Sequence, residues 1–400
     1  MKASIKMISI MAGATFSCAA TAQLQDIDSA LKGSSVDINF RYRAESADVK
    51  GGATAALANT LKSRATVKTG SLSGFSILVE GDNTLHITDH FYDKENGRDA
   101  NDYDLVLDQE TTQLNQAYIQ YTNSHSTIKA GNQRITLDNQ RHVGGVAFRQ
   151  DEATFDALSV SNTSIQDTRI FVAIANNKNS ITNTNSKESI GLVNVKYAIN
   201  QDISVSGFYY GIRDVNKENS GIDLDTFGTR AVGSVNGVNF TAEVASQNKS
   251  TATDNNFTTR YHHVNASTKL GSLKTTLGYE VFTSDHGEAA FITPLGTNHK
   301  FFGWTDVFLK GAGNNGIEDI YASFVTKVAG VKLVGQYHNY SANEGGDPLG
   351  NELGFVLAKK IKNYGINLKA SHYLSSAFAE KSALAKKDTS KIWLTASAHF

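Results

Sequence analysis

Cations stand at alternate positions near the start of the chain: Arg41 and Arg43, then Lys62, Arg64 and Lys68. Charges at period two share one face of an extended strand. Five cations on one wall can concentrate carboxylates, sulfates or phosphates. The plainer alternative is a polar strand face that happens to be basic, partly neutralised by Asp37 and Glu80. A second set, Arg134, Asp138, Arg141, Arg149, Asp151 and Glu152, crowds into residues 131–152 around a Gly144-Gly145 pair that reads as a hinge. The arginine fork is permanently charged and can grip carboxylates bidentately. This stretch can narrow a pore, with arginines facing carboxylates across a gap, or pin a loop to a wall. The constriction, with Arg134, Asp138, Arg141, Arg149 and Glu152 as its members, is the expectation. A third set, Asp99, Asn101, Asp102, Asp104 and Asp108, offers oxygens at near-alternate positions, as a Ca²⁺ loop does. The glycine and the terminal bidentate Glu of that loop are missing, so a solvated acidic loop is expected and no metal.

Catalytic chemistry has little to stand on. His86, His90, His142, His262 and His263 are scattered, and no Gly-x-Ser-x-Gly, His-Glu-x-x-His or phosphate loop occurs. Gly70-Ser-Leu-Ser-Gly74 has the wrong order. The chain's one cysteine, Cys18, falls in a segment expected to be removed, which excludes a disulfide or thiolate site from the mature protein. No enzyme and no cofactor are expected.

The elements that must carry these charges are strands. The 400 residues include only two prolines, abundant Gly, Tyr and Phe, and a net charge of −1. From residue 36 the hydropathy alternates. Val36, Ile38, Phe40 and Tyr42 face one way, and Asp37, Asn39, Arg41 and Arg43 the other. The same alternation recurs in about eighteen segments. They begin near residues 36, 58, 73, 112, 126, 152, 166, 188, 202, 223, 237, 259, 272, 318, 330, 352, 364 and 390. Links after even-numbered segments are short. Several after odd-numbered ones are long: 83–111, 133–151, 284–317 and 374–389. Sorting of loops by parity is how a membrane barrel with short periplasmic turns and long extracellular loops is built. Pro294 and Pro348 are both expected in loops, Pro348 within 342–351. Before the strands, Lys2 and Lys6, the apolar Ile8–Phe16 and Ala20-Thr21-Ala22 have the order of a secretory signal peptide. A lipoprotein cleavage at Cys18 lacks the usual aliphatic residue before it. The organisation is then a signal over 1–22, a short periplasmic segment over 23–35 and a barrel over 36–400. The fold class is all-β, a transmembrane antiparallel barrel.

The last strand is the most specific element. Counting back from Phe400, Ala398, Ala396, Leu394 and Ile392 share one face, with Lys391, Thr395, Ser397 and His399 on the other. A terminal aromatic on such a strand is the expected assembly signal. Gly131-Asn-Gln-Arg-Ile-Thr-Leu-Asp-Asn-Gln-Arg-His-Val-Gly-Gly-Val-Ala-Phe-Arg-Gln-Asp-Glu-Ala-Thr-Phe-Asp-Ala157 resembles the signature of the alginate export family of outer-membrane barrels. So do Phe40-Arg-Tyr-Arg-Ala-Glu45 with Leu61-Lys-Ser-Arg64, and His299-Lys-Phe-Phe-Gly-Trp304 with Gly316-Ile-Glu-Asp-Ile-Tyr321. The resemblance runs from about residue 36 to the C-terminus and implies an eighteen-strand channel. The expected function is a porin-like channel in the cell outer membrane for passive passage of small hydrophilic solutes or oligosaccharides, either general or mildly selective for anionic ones. A dedicated anionic-polysaccharide exporter and a structural or adhesive barrel stand beside it. The expected partners are outer-membrane lipid, lipopolysaccharide, the barrel-assembly machinery and the solutes themselves, with no nucleic acid.

Overall fold

The computed structural model describes residues 28, 30–182, 184–214, 223–250 and 256–400. The expected signal peptide lies outside the described residues. No described helix is long and apolar enough to cross a membrane. Eighteen antiparallel strands form one closed wall. They are β1 Ser35–Val49, β2 Ala56–Lys68, β3 Phe75–His90, β4 Thr111–Thr122, β5 Ser126–Gln133, β6 Thr154–Asn162, β7 Thr168–Asn179, β8 Glu188–Ala198 and β9 Ile203–Asp214. They continue with β10 Asp223–Val235, β11 Val238–Ser250, β12 Asn256–Leu270, β13 Leu273–Phe282, β14 Ile317–Val328, β15 Val331–Ser341, β16 Pro348–Ile361, β17 Tyr364–Ser375 and β18 Thr389–His399.

Each strand pairs with the next, and β18 returns to β1 in the register Asn39↔His399 through Val49↔Thr389. Closure is what lipid demands, because an open edge would leave backbone N–H and C=O groups without partners. The seam continues past the last strand residue. The Ile38 amide donates to the Phe400 carbonyl and the Phe400 amide to the Ile38 carbonyl, each at 2.9 Å. The Phe400 ring meets Phe40 and Tyr364 edge-on, with centroids 6.5 and 6.1 Å apart.

Facing follows the alternation. Ile38, Phe40, Ile77, Val79, Leu277, Phe324, Leu368 and Leu394 are exposed on the outer surface, where lipid would cover them. Arg43, Lys62, Glu80, Glu243 and Lys391 are buried on the inner side. The short links are tight turns. Asn236-Gly237 and Ala329-Gly330 both have positive φ at the two central residues (51° and 79°, 48° and 78°). That is the turn whose twist matches a two-residue hairpin. Pro348 differs from expectation. It is the first residue of β16, opposite Ser341, rather than a loop residue. A strand's first position tolerates the missing amide.

One bulge matters for the site. Glu80 pairs with Gln116 and Gly81 with Leu114, so Asn115 is the extra residue on β4. Leu114 and Ile119 both face outward although their numbers differ in parity, and Asn115 and Gln116 are both buried inside. A bulge re-aims side chains in this way.

The lumen is not a plain water-filled cylinder. Residues 134–153, between β5 and β6, and residues 283–316, between β13 and β14, fold into it. They bury an aromatic cluster against the wall, including Phe208, Tyr210, Tyr261, Phe282, Phe291, Phe302, Phe308, Tyr340 and Tyr373.

Candidate functional site

The first inward loop is fastened to the β1–β4 wall by charge. Arg41 donates to Gln150 Oε1 at 2.8 Å, to the Ala147 carbonyl at 2.9 Å and to the Arg149 carbonyl. Lys62 Nζ reaches the Gln150 carbonyl at 2.6 Å and Asp82 at 2.8 Å. Arg64 pairs with Asp82 at 2.6 Å and also with Glu152 of the loop. Arg134 donates to Glu152 at 2.5 Å and to Glu80 at 3.1 Å. The bulge supplies Asn115 and Gln116, which donate to Glu80 at 2.7 and 2.9 Å; Asn115 also donates to Glu152 at 2.7 Å. Lys62, Arg64 and Arg134 thus face Glu80, Asp82 and Glu152, and the formal charge of this knot cancels.

At mid-lumen the two loops meet. Arg149 pairs with Glu45 of β1 at 2.9 Å and with Asp306 of the second loop at 3.3 Å. Asp306 also accepts from His299 at 2.6 Å and Lys391 of β18 at 3.4 Å. Lys369 of β17 lies 2.7 Å from His299 Nε2, under the rings of Phe148, Trp304 and Trp393. The Gly144 amide donates to the Leu295 carbonyl at 2.8 Å. A Cβ on Gly144 would stand 2.2 Å from Thr297 Oγ1. The expected hinge is therefore a contact point between loops, where only glycine fits.

The far wall holds the same loops. Arg141 pairs with Glu280 at 2.7 Å, fully buried, with its guanidinium 4.3–4.5 Å from the Phe282, Phe301 and Phe302 rings. His142 contacts Glu243 at 2.7 Å. Asp138 accepts from Asn194 at 2.7 Å and Ser206 at 3.2 Å. Glu352 of β16 accepts from the backbone amides of Trp304 and Thr305.

Burial sets the protonation of the loop acids. It pushes the Asp151 carboxyl up to about 7, with Lys62 opposing and Asp82 and Asp108 reinforcing. Glu152 is also desolvated, but its Arg134 hydrogen bond and Arg64 overcome that and hold it at about 2. His299 is pushed down to about 3 by burial, against the pull of Asp306.

On the long-loop side of the crossing is a cavity of about 490 Å³. Arg149, Lys178, His299, Lys386, Lys387 and Lys391 line it, with Asp104 and Asp306 as the acids. Val49, Leu105, Val146, Val307 and Leu384 form apolar patches between them.

The structure brings Arg41, Arg43, Lys62, Arg64, Arg134, Arg149 and Glu152 into one region, with Arg43 3.5 Å from Asp108. Asp138 and Arg141, in the same loop, lie against the opposite wall. Lys68 lies opposite Ser35 at the short-turn rim, away from the other four wall cations. Asp99, Asn101 and Asp102 satisfy one another through turn hydrogen bonds, while Asp104 turns away to accept from the Val49 amide. Among the described residues no three His, Cys, Asp or Glu are placed to hold a metal. Sequence reasoning missed the second loop with His299 and Asp306, and the wall acids Glu45, Glu280 and Glu352. The stretch His299–Trp304 was available as a signal, since it places one of only two tryptophans inside a long link. The parity break across Leu114–Ile119 was another, and it marks the bulge.

The family profile described as alginate export matches residues 34–354. No curated protein sequence matches significantly. Solved outer-membrane barrels share the fold at low identity. Pseudomonas aeruginosa OccK9 (OpdG) superposes with a TM-score of 0.70 at 14% identity, covering 93% of this chain and 99% of that one. Acinetobacter baumannii OccAB2 gives 0.69 at 15%, covering 93% and 99%. Pseudomonas aeruginosa OpdK, crystallised with vanillate, gives 0.70 at 12%, covering 92% and 99%.

Proposed function

The chain belongs to the alginate export family, and on that footing we propose that it passes small hydrophilic anions through the outer membrane. The observation that carries the reading is the 490 Å³ cavity above the loop crossing, where cations outnumber acids. Asp306 is already held by Arg149, His299 and Lys391, which leaves Lys178, Lys386 and Lys387 against the single acid Asp104 around the cavity. Low-dielectric walls focus such a field and raise the local anion concentration. The aliphatic patches suit a carboxylate with a compact apolar body. A path for an anionic polysaccharide needs a continuous groove. Two loops joined across the lumen through Arg149 and Asp306 favour a small solute instead. The assembly machinery would read the terminal strand, and lipopolysaccharide would cover the outer wall above it.

Proteoliposome swelling tests the reading, with sodium vanillate, a neutral sugar of similar size and arginine as the solutes. Vanillate is expected to enter fastest, and K386Q/K387Q to narrow its lead. Fastest entry of arginine overturns the anion preference. An absence of swelling with all three overturns the channel.

A further inference from the structure

At the short-turn rim, successive strands on one side of the barrel each present an inward lysine. Phe324 and Val328 are exposed outward on β14, which places Lys327 inward by alternation. Tyr337 on β15 does the same for Lys332, and Leu357 and Ile361 on β16 for Lys360. On β12 and β13, outward Leu270 and Leu277 put Lys269 and Lys274 inside. Lys269 is the Cα partner of Lys274, and Lys327 of Lys332. Like charges directly opposite one another destabilise a sheet. Two neighbouring hairpins nevertheless repeat the device, as Lys269-Leu-Gly-Ser-Leu-Lys274 and Lys327-Val-Ala-Gly-Val-Lys332. The third hairpin reads Lys360-Ile-Lys-Asn-Tyr-Gly365, and its glycine leaves room where a second lysine would stand. A depression of about 410 Å³ opens there, lined by Lys327, Lys332, Lys360, Gly365, Asn367 and His399.

None of these five lysines has a carboxylate partner among the described residues. The nearest inward acids on their strands are Glu280, Asp319 and Glu352. Asp319 is eight residues from Lys327, about 26 Å at the rise of a strand. Glu280 is six from Lys274, about 20 Å. At physiological ionic strength the screening length is about 8 Å, so these acids cannot neutralise the arc. The strands themselves separate it from lipid, which excludes a lipid headgroup as the counter-charge.

We infer that this arc is a binding site for a compact oligoanion, a solute with two or more phosphate or carboxylate groups, at the periplasmic mouth. It is distinct from the cavity beyond the loops. Lysine ammoniums are strongly hydrated point charges on flexible stems. They suit a small multivalent anion of variable geometry better than a single planar carboxylate.

The test is calorimetric titration of the folded full chain in detergent with inorganic tripolyphosphate at low salt. It does not need the pore to conduct, so it stands or falls apart from the transport reading. Wild type is expected to bind, and K327Q/K332Q/K360Q to bind about tenfold more weakly or worse. The charge-matched control K94Q/K310Q/K381Q, all on exposed long-loop residues, should bind as wild type does. K327R/K332R/K360R should retain binding, and heat-modifiable migration checks that each variant is folded. No binding by wild type, or equal loss in both Gln triples, overturns the site.

Discussion

Glu152 is the residue on which the loop anchorage turns. It takes hydrogen bonds from Arg134, Arg64 and Asn115, and burial leaves no water to replace them. Removing one member of a buried charged pair costs about 3–5 kcal/mol, because its partner stays buried without a counter-charge. Glu152→Gln should therefore lower the unfolding temperature in detergent well beyond Glu95→Gln, an exposed control. Equal temperatures would mean that the knot contributes nothing to holding the loop. Asp151 makes the opposite prediction through pH. Its folded pKa of about 7 lies well above the usual carboxylate range, so the folded state binds the proton more tightly than the unfolded chain. Stability from this group is complete below about pH 4 and is lost as pH rises towards about 7. Asp151→Asn should unfold at a higher temperature than wild type above that window, with the gap closing in acid. A gap that is constant with pH would show that folding leaves the affinity of the Asp151 carboxyl for its proton unchanged.

At the scale of elements, facing and closure decide what the barrel tolerates. Leu394 is outward on β18, paired with Ala44 and Leu368 well inside both seams. Leu394→Arg should cost about 2–4 kcal/mol near the membrane midplane, while Thr395→Arg, facing inward, should be close to neutral for folding. Ile38 is the weaker probe, because it pairs with Phe400 at the rim, where an arginine costs only about 0–1 kcal/mol. Deleting Phe400 removes both backbone bonds to Ile38 and the ring contacts at the seam, and should slow or block assembly in cells. Normal amounts of heat-modifiable protein in the outer membrane would contradict that. The strands were legible because each carries its own signal. A period of two, an outward apolar face and a turn every few residues are all local, and the strand starts read from sequence lie within four residues of those observed. Pro348 was misplaced because a proline at a strand's first residue looks like a loop residue. The inward loops were only half legible. Arg149 and Glu45 stand 104 residues apart, and no periodicity connects them. The charges of the first loop were visible as types. Their partners on β1, β2, β3 and β13 and in the second loop could be found only once the wall had closed.

For the whole molecule, the wall and the loops make a closed outer-membrane barrel whose lumen is narrowed by two joined loops, and the proposal is that it still conducts and prefers anions. Arg141 is fully buried against Glu280 and three aromatic rings, so its charge should matter for holding the loop and little for ions in transit. Arg149, Lys386 and Lys387 line the cavity and should set selectivity. The effect should be largest at low salt, since the screening length is about 30 Å at 0.01 M and about 10 Å at 0.1 M. The most direct measurement is the single-channel current of the purified protein in planar bilayers, with the reversal potential taken across a salt gradient. The account predicts discrete conductance steps and a reversal potential of anion-preferring sign, moved towards zero in K386Q/K387Q and more strongly at low salt. An absence of steps, or a cation-preferring reversal potential, would contradict it.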